Sequence, residues 1–82
     1  MRKAEEGQSY HSTIGEWIKF NRQCHNKRQS DIAKIIGVTH QQINKYESGR
    51  SRISASALFT LAKYYNWPIN TIFDKEAWTN RL

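Results

Sequence analysis

Between His40 and Ser48, the polar side chains of His40, Gln41, Asn44, Lys45 and Ser48 recur at one- and four-residue spacing. If the segment is helical, that spacing puts them on a single face. Imidazole, amide, ammonium and hydroxyl groups supply hydrogen-bond donors and acceptors. The charge around them is lopsided. Lys19, Arg22, Lys27, Arg28, Lys34, Lys45, Arg50 and Arg52 are opposed within residues 19–52 only by Asp31 and Glu47, and the rest of the chain sums to zero, so the whole net charge of +6 lies in that segment. A localised basic surface suits a polyanion, because each Lys or Arg placed on a phosphate releases condensed counterions. Charge alone does not separate that use from a solvated face kept for solubility.

Other chemistries fit less well. Catalysis would need a nucleophile with its base, paired carboxylates or a Gly-rich phosphate loop, and the glycines at 7, 15, 37 and 49 read as punctuation. Cys24 and His25 with His11 and His40 lack the paired spacing of a zinc site, so no metal or other cofactor is expected. As the single cysteine, Cys24 cannot form an intramolecular disulfide and reads as a packing residue. Trp17, Trp67 and Trp78 read as core or interface residues. With 82 residues, 38% hydrophobic and 12% aromatic, the chain supports one small folded domain. No apolar run approaches the ~20 residues that span a bilayer, and the N-terminus lacks a signal-peptide core, which predicts a soluble cytoplasmic protein with no membrane partner.

The elements that would position the polar face read as helices. Residues 1–11 lack apolar periodicity and are expected to form a flexible arm. Thr13 and Glu16 form a capping-box pattern ahead of a first helix carrying Ile14, Trp17 and Ile18 to about Cys24, with Asn26 as its left-handed terminus. A short second helix buries Ile32, Ala33, Ile35 and Ile36 and ends at Gly37. Thr39 caps a third helix over about 40–48, with Gln42 at its third position, Ile43 and Tyr46 inward and the polar face outward. Ser54, between Ile53 and Leu58, opens a fourth helix over about 55–65, with Leu58, Phe59, Leu61, Ala62 and Tyr65 inward and a stop at Asn66. Trp67 and Pro68 then start a last short helix with Ile69, Ile72 and Phe73, and residues 75–82 form a tail.

Two helices joined at Gly37 and Val38, the second with an amide-rich outer face, meet the demands of a helix-turn-helix. Ala33 allows close approach, Gly37 takes the left-handed turn and Ile43 fills the gap. Over about residues 14–73 the chain resembles the Cro/repressor-type, or Xre, helix-turn-helix family. The resemblance rests on Gln29, Ile32-Ala33, Ile36-Gly37-Val38, Thr39, Ile43, Glu47-Ser48-Gly49 and Leu61-Ala62-Lys63.

That resemblance implies an all-α, five-helix lambda-repressor-like DNA-binding domain over 12–74 that inserts its third helix into the major groove as a homodimer on a palindromic operator, usually to repress transcription. It places His40, Gln41 and Lys45 at base-reading positions, with Gln42 and Asn44 secondary, and Gln29 against a phosphate. Gln and Asn can pair with adenine, and Lys or His with guanine. Thr39 and Ser48 at the helix ends, with Arg50 and Arg52 beyond, are expected to hold the phosphate backbone. Where the family has a Thr cap, an apolar residue and a Leu, this chain has Arg28, Lys27 and Asn21; Arg28 is expected to add a phosphate contact. Glu47 is expected to be a structural hydrogen-bond or ion-pair partner rather than a base reader, since an acid among phosphates is repelled unless it meets a donor such as cytosine N4. The apolar cluster Trp67, Ile69, Ile72, Phe73 and Trp78 exceeds the needs of one short helix and predicts a dimer contact through it and the tail. An antitoxin or bridging module whose DNA binding is secondary is the alternative; the short tail favours the regulator, and no small-molecule ligand is evident.

Overall fold

In the computed structural model, the backbone is described for residues 3–79 and side chains for residues 11–79. Residues 1–2 of the expected arm and 80–82 of the expected tail lie outside the described residues. The described chain is all-helical: α1 (Lys3–Cys24), α2 (Gln29–Ile36), α3 (His40–Glu47), α4 (Ala55–Tyr65), a 3-10 turn (Ile69–Phe73) and α5 (Lys75–Thr79).

The caps of α2, α3 and α4 follow local sequence. Gly37 takes φ 73° at the end of α2, its N–H bonded to the Ala33 carbonyl, as a left-handed C-terminal residue should be. Thr39 Oγ1 accepts from the Gln42 N–H at 3.1 Å, and Ser54 Oγ from the Ala57 N–H at 3.0 Å. Asn26 and Asn66, both at φ 59°, close α1 and α4.

The helix α1 starts earlier than periodicity predicts. It begins at Lys3, so residues 3–11 are helical rather than an arm, and the Thr13–Glu16 pattern lies inside the helix. Lys3, Ala4, Glu5, Glu6 and Gln8 are good helix formers, which lets the helix extend backward without an apolar stripe. The far end of the chain differs too. The expected last helix is a 3-10 turn, and residues 75–79 of the expected tail form α5.

α5 folds back onto the body. Trp78 is buried, its indole Nε1 donating to the Ile72 carbonyl at 3.0 Å and its ring 4.9 Å from that of Phe20. Ile72 is fully buried as well, so these two residues belong to the core and not to a dimer contact. Trp67 packs partly against that core, whereas Ile69 and Phe73 stay 40% and 45% exposed. Cys24 is exposed instead of packed, and Phe59, expected inward, is 54% exposed. Asn21, in place of an aliphatic residue, is buried with its Nδ2 donating to the Trp17 carbonyl at 3.1 Å. The Tyr65 hydroxyl is buried without a hydrogen-bond partner, and burial is the main cause that pushes its pKa up to about 12.

Helices α1 and α2 both pack on α3. α1 approaches closely because it carries Gly15, where a Cβ would run into the Tyr46 carbonyl oxygen and lie 2.9 Å from that of Glu47. The three helices then share one polar junction. Arg22 donates from Nε to Glu47 Oε2 at 2.6 Å and from Nη2 to Oε1 at 3.0 Å, while Gln29 Nε2 donates to the same Oε1 at 3.1 Å. The Arg22 and Glu47 side chains are only 13% and 5% exposed. A third Arg22 bond, Nη1 to the Lys27 carbonyl at 3.0 Å, ties in the α1–α2 connection. Hydrogen bonding to Glu47 raises the Arg22 pKa further, so the guanidinium stays charged.

Two stability outcomes follow from this junction. Gly15→Ala should destabilise by roughly 1–3 kcal/mol, measured by urea unfolding, although alanine is the better helix former; a gain in stability would mean that α1 and α3 separate freely. Glu47→Ala strands the Arg22 charge and should cost about 3–5 kcal/mol. A loss below ~1 kcal/mol would place this pair with weak surface salt bridges.

Candidate nucleic-acid interface

Once Ile43 is fully buried beneath α3 and Tyr46 partly buried beside it, the opposite side of the helix is left to solvent. His40, Gln41, Asn44 and Lys45 are exposed there, and Gln42 is half-buried on the flank. Of the five expected reading residues, four therefore share the open face, while Gln42 turns partly toward the body.

Gln29, at the start of α2, joins that face to its surroundings. With His40, Gln41, Asn44, Lys45 and Arg50 it lines a depression of about 380 Å³. It also borders a second depression of about 480 Å³ with Arg22, Arg28, Ser30 and His40. The start of α2 and the outer face of α3 thus form one basic, polar surface. Gln29, expected at a phosphate, has its amide nitrogen bonded to Glu47 and acts first as a strut beneath this surface.

The cations on the surface divide into two kinds. Arg22 faces Glu47 and is structural. Arg28 occupies the N-cap of α2; its backbone N–H donates to Asp31 Oδ2 at 2.8 Å, and this bond is the main cause of a lowered Asp31 pKa. The Arg28 guanidinium, 82% exposed and 3.6 Å from Asp31, still faces solvent beside Gln29. Lys45 and Arg52 are exposed. Ser48 bonds within its own turn: its hydroxyl donates to the Lys45 carbonyl at 3.1 Å and accepts from Arg50 Nε at 2.9 Å.

The sequence marks Glu47 as a structural partner by hydrogen bond or ion pair but not its counterpart, because Arg22 is indistinguishable by type from the other cations of the segment. One signal was present. A carboxylate in the last turn of a helix faces the negative end of the helix dipole and needs a cation supplied from elsewhere. Among the described residues, no group of three His, Cys, Asp or Glu could hold a metal ion, and no helix is long and apolar enough to cross a membrane.

Comparison with known proteins agrees with this geometry. A helix-turn-helix family profile matches residues 18–72. The chain is 43% identical over 60 residues to a Rhodospirillum rubrum protein named as an uncharacterized transcriptional regulator in the ATPase CF(0) region, covering 73% of this chain and 56% of that one. It is 38% identical over 56 residues to an uncharacterized HTH-type transcriptional regulator of Methanocaldococcus jannaschii, covering 68% of this chain and 85% of that protein. A Rickettsia prowazekii protein of the same description is 34% identical over 73 residues, covering 89% of this chain and 56% of the relative. Several of these relatives are longer, and the chain spans about half the length of the first of them. No solved structure matches. The junction at Gly37, the capped α3 with its polar outer face and the matched profile together show that the chain belongs to the Cro/repressor-type, or Xre, helix-turn-helix family.

Proposed function

We propose that this domain binds double-stranded DNA sequence-specifically and regulates transcription as a repressor, with α3 in the major groove and two copies on a palindromic operator. The observation that carries this reading is the outer face of α3. His40, Gln41, Asn44 and Lys45 are held in the open by a buried ion pair behind the helix, within the segment that contains the entire net charge. An α-helix fits the major groove, where each base pair shows a distinct pattern of donors and acceptors. Gln41 and Lys45 lie four residues apart on the same face, so they reach successive steps of the groove. Arg28, beside Gln29 and His40, and the exposed Arg52 beyond α3 in the chain are the cations offered to phosphates. The N–H groups at the start of α2 and α3 add partial positive charge there. A domain bound over a promoter excludes other proteins by bulk alone, which suits repression in the cytoplasm.

Homodimerisation answers a limit on information. One α3 reads a few base pairs, too few to single out an operator among ~10⁶ or more competing sites. Ile69 and Phe73 are the exposed apolar residues of the 3-10 turn and the candidates for a two-fold contact, with Trp67 partly buried behind them. Such a contact would set the two reading helices about 34 Å apart.

Affinity for a selected duplex should fall on the order of a thousandfold between ~50 and ~200 mM salt, as expected when several phosphates are neutralised per bound dimer; a flat salt response contradicts DNA binding through this surface. Gln41→Ala and Lys45→Ala should each weaken the selected site by ~1–3 kcal/mol and relax base preference at separate positions. Unchanged preference in Gln41→Ala would remove the outer face of α3 from readout. In sedimentation, Phe73→Asp should leave a folded monomer that binds one half-site, and a Phe73→Asp chain that still loads two copies per operator places the contact elsewhere.

A further inference from the structure

Arg50 follows α3 by three residues, yet its position is tied to the helix. Its N–H donates to the Lys45 carbonyl at 2.9 Å, after the turn at Gly49. The side chain then folds back along the exposed face. Nε donates to Ser48 Oγ at 2.9 Å, and Nη2 donates to Asn44 Oδ1 at 3.0 Å. Ser48 Oγ is itself fixed by its bond to the Lys45 carbonyl. The guanidinium edge formed by Nε and Nη2 is therefore occupied by the helix, and the edge formed by Nη1 and the second Nη2 proton is left as a parallel two-donor fork.

A phosphate contact would not require this arrangement, since an unrestrained arginine beyond the helix reaches the backbone as well. The arrangement instead sets Arg50 in the depression it shares with His40, Gln41, Asn44 and Lys45. It also changes what Asn44 offers. With one lone pair of Oδ1 taken by Arg50, the amide keeps Nδ2 as a free donor beside the fork. Two arginine donors and one amide donor thus lie together at the same depression on the α3 face. The major-groove edge that offers adjacent acceptors and no donor is guanine, through O6 and N7.

We infer that Arg50, held on the face of α3 by Ser48 and Asn44, is a specificity-determining residue that reads guanine in the major groove. The inference rests on the reading that α3 enters duplex DNA. It assigns Arg50 to a base edge where the family resemblance implied a phosphate. Asn44 is then a positioning residue for Arg50 as well as a donor of its own.

Selection of duplexes from a random pool by the full chain, compared for wild type, Arg50→Ala and Asn44→Ala, tests it. Wild type should select guanine at one fixed position of each half-site. Arg50→Ala removes the fork, so it should lose that preference by about tenfold or more while the salt dependence of affinity, set by phosphate contacts, stays nearly the same. Asn44→Ala should relax the same position. Both substitutions are at exposed positions, and an unchanged circular dichroism spectrum shows that binding and not folding is being read. Retention of the guanine preference in Arg50→Ala, or an equal loss of affinity on all sequences with a shallower salt dependence, overturns the inference and returns Arg50 to the phosphates. A wild-type chain that selects no duplex overturns the DNA-binding reading, and this inference with it.

Discussion

The Glu47 carboxylate draws donors from α1 and α2 onto α3. It sits in the last turn of α3, where the helix dipole disfavours negative charge, and it is almost wholly removed from water. Desolvating an ion costs several kcal/mol unless a well-placed counter-ion and further hydrogen bonds offset it. Arg22 supplies a two-point fork from α1, and Gln29 supplies a third donor from α2. Because all three donors converge on one group, the relation of α3 to the other two helices is fixed at its C-terminal end. Gly15 lets the helices close to the distance at which those bonds form. Ile43 seals the apolar side of the same interface.

From that constraint follows the use of charge on the surface. Arg22 belongs to the basic segment by sequence but is consumed in holding α3, so the ion pair converts part of a general attraction for polyanions into a defined orientation. Arg28, Lys45 and Arg52 remain turned to solvent. Orientation matters because phosphates attract without regard to sequence, whereas base edges are read only by side chains held in register with the groove. The C-terminal end of α3 carries this further, with Ser48 and Asn44 restraining a side chain that would otherwise sample many rotamers.

The parts of the fold that were legible in sequence are those that local chemistry decides. Thr39 and Ser54 as caps, Gly37, Asn26 and Asn66 as left-handed terminators, and the small Ala33 beneath Ile43 specify α2, α3 and α4 within a residue of their observed ends. The start of α1 was not legible from periodicity, because residues 3–11 have helix propensity without an amphipathic stripe. Trp78 and Ile72 resembled surplus apolar residues because α5 was not expected; only its return along α1 makes room for both in the core. Asn21 replaces an aliphatic packing residue by bonding to its own helix, a solution set by three-dimensional surroundings. At the site, residue types showed which side chains could recognise a base, but the bonds that turn Gln29 inward and draw Arg50 onto α3 depend on the folded arrangement.

In the proposed complex α3, held by Glu47, faces bases in the major groove. Methylation interference on a selected duplex tests this placement most directly, because dimethyl sulfate modifies guanine at N7, in the major groove, and adenine at N3, in the minor groove. Methyl groups on guanine N7 within each half-site should abolish binding, and those on adenine N3 at the same positions should leave it intact. Interference confined to adenine N3 would contradict that placement, since the chain would then be reading the opposite groove.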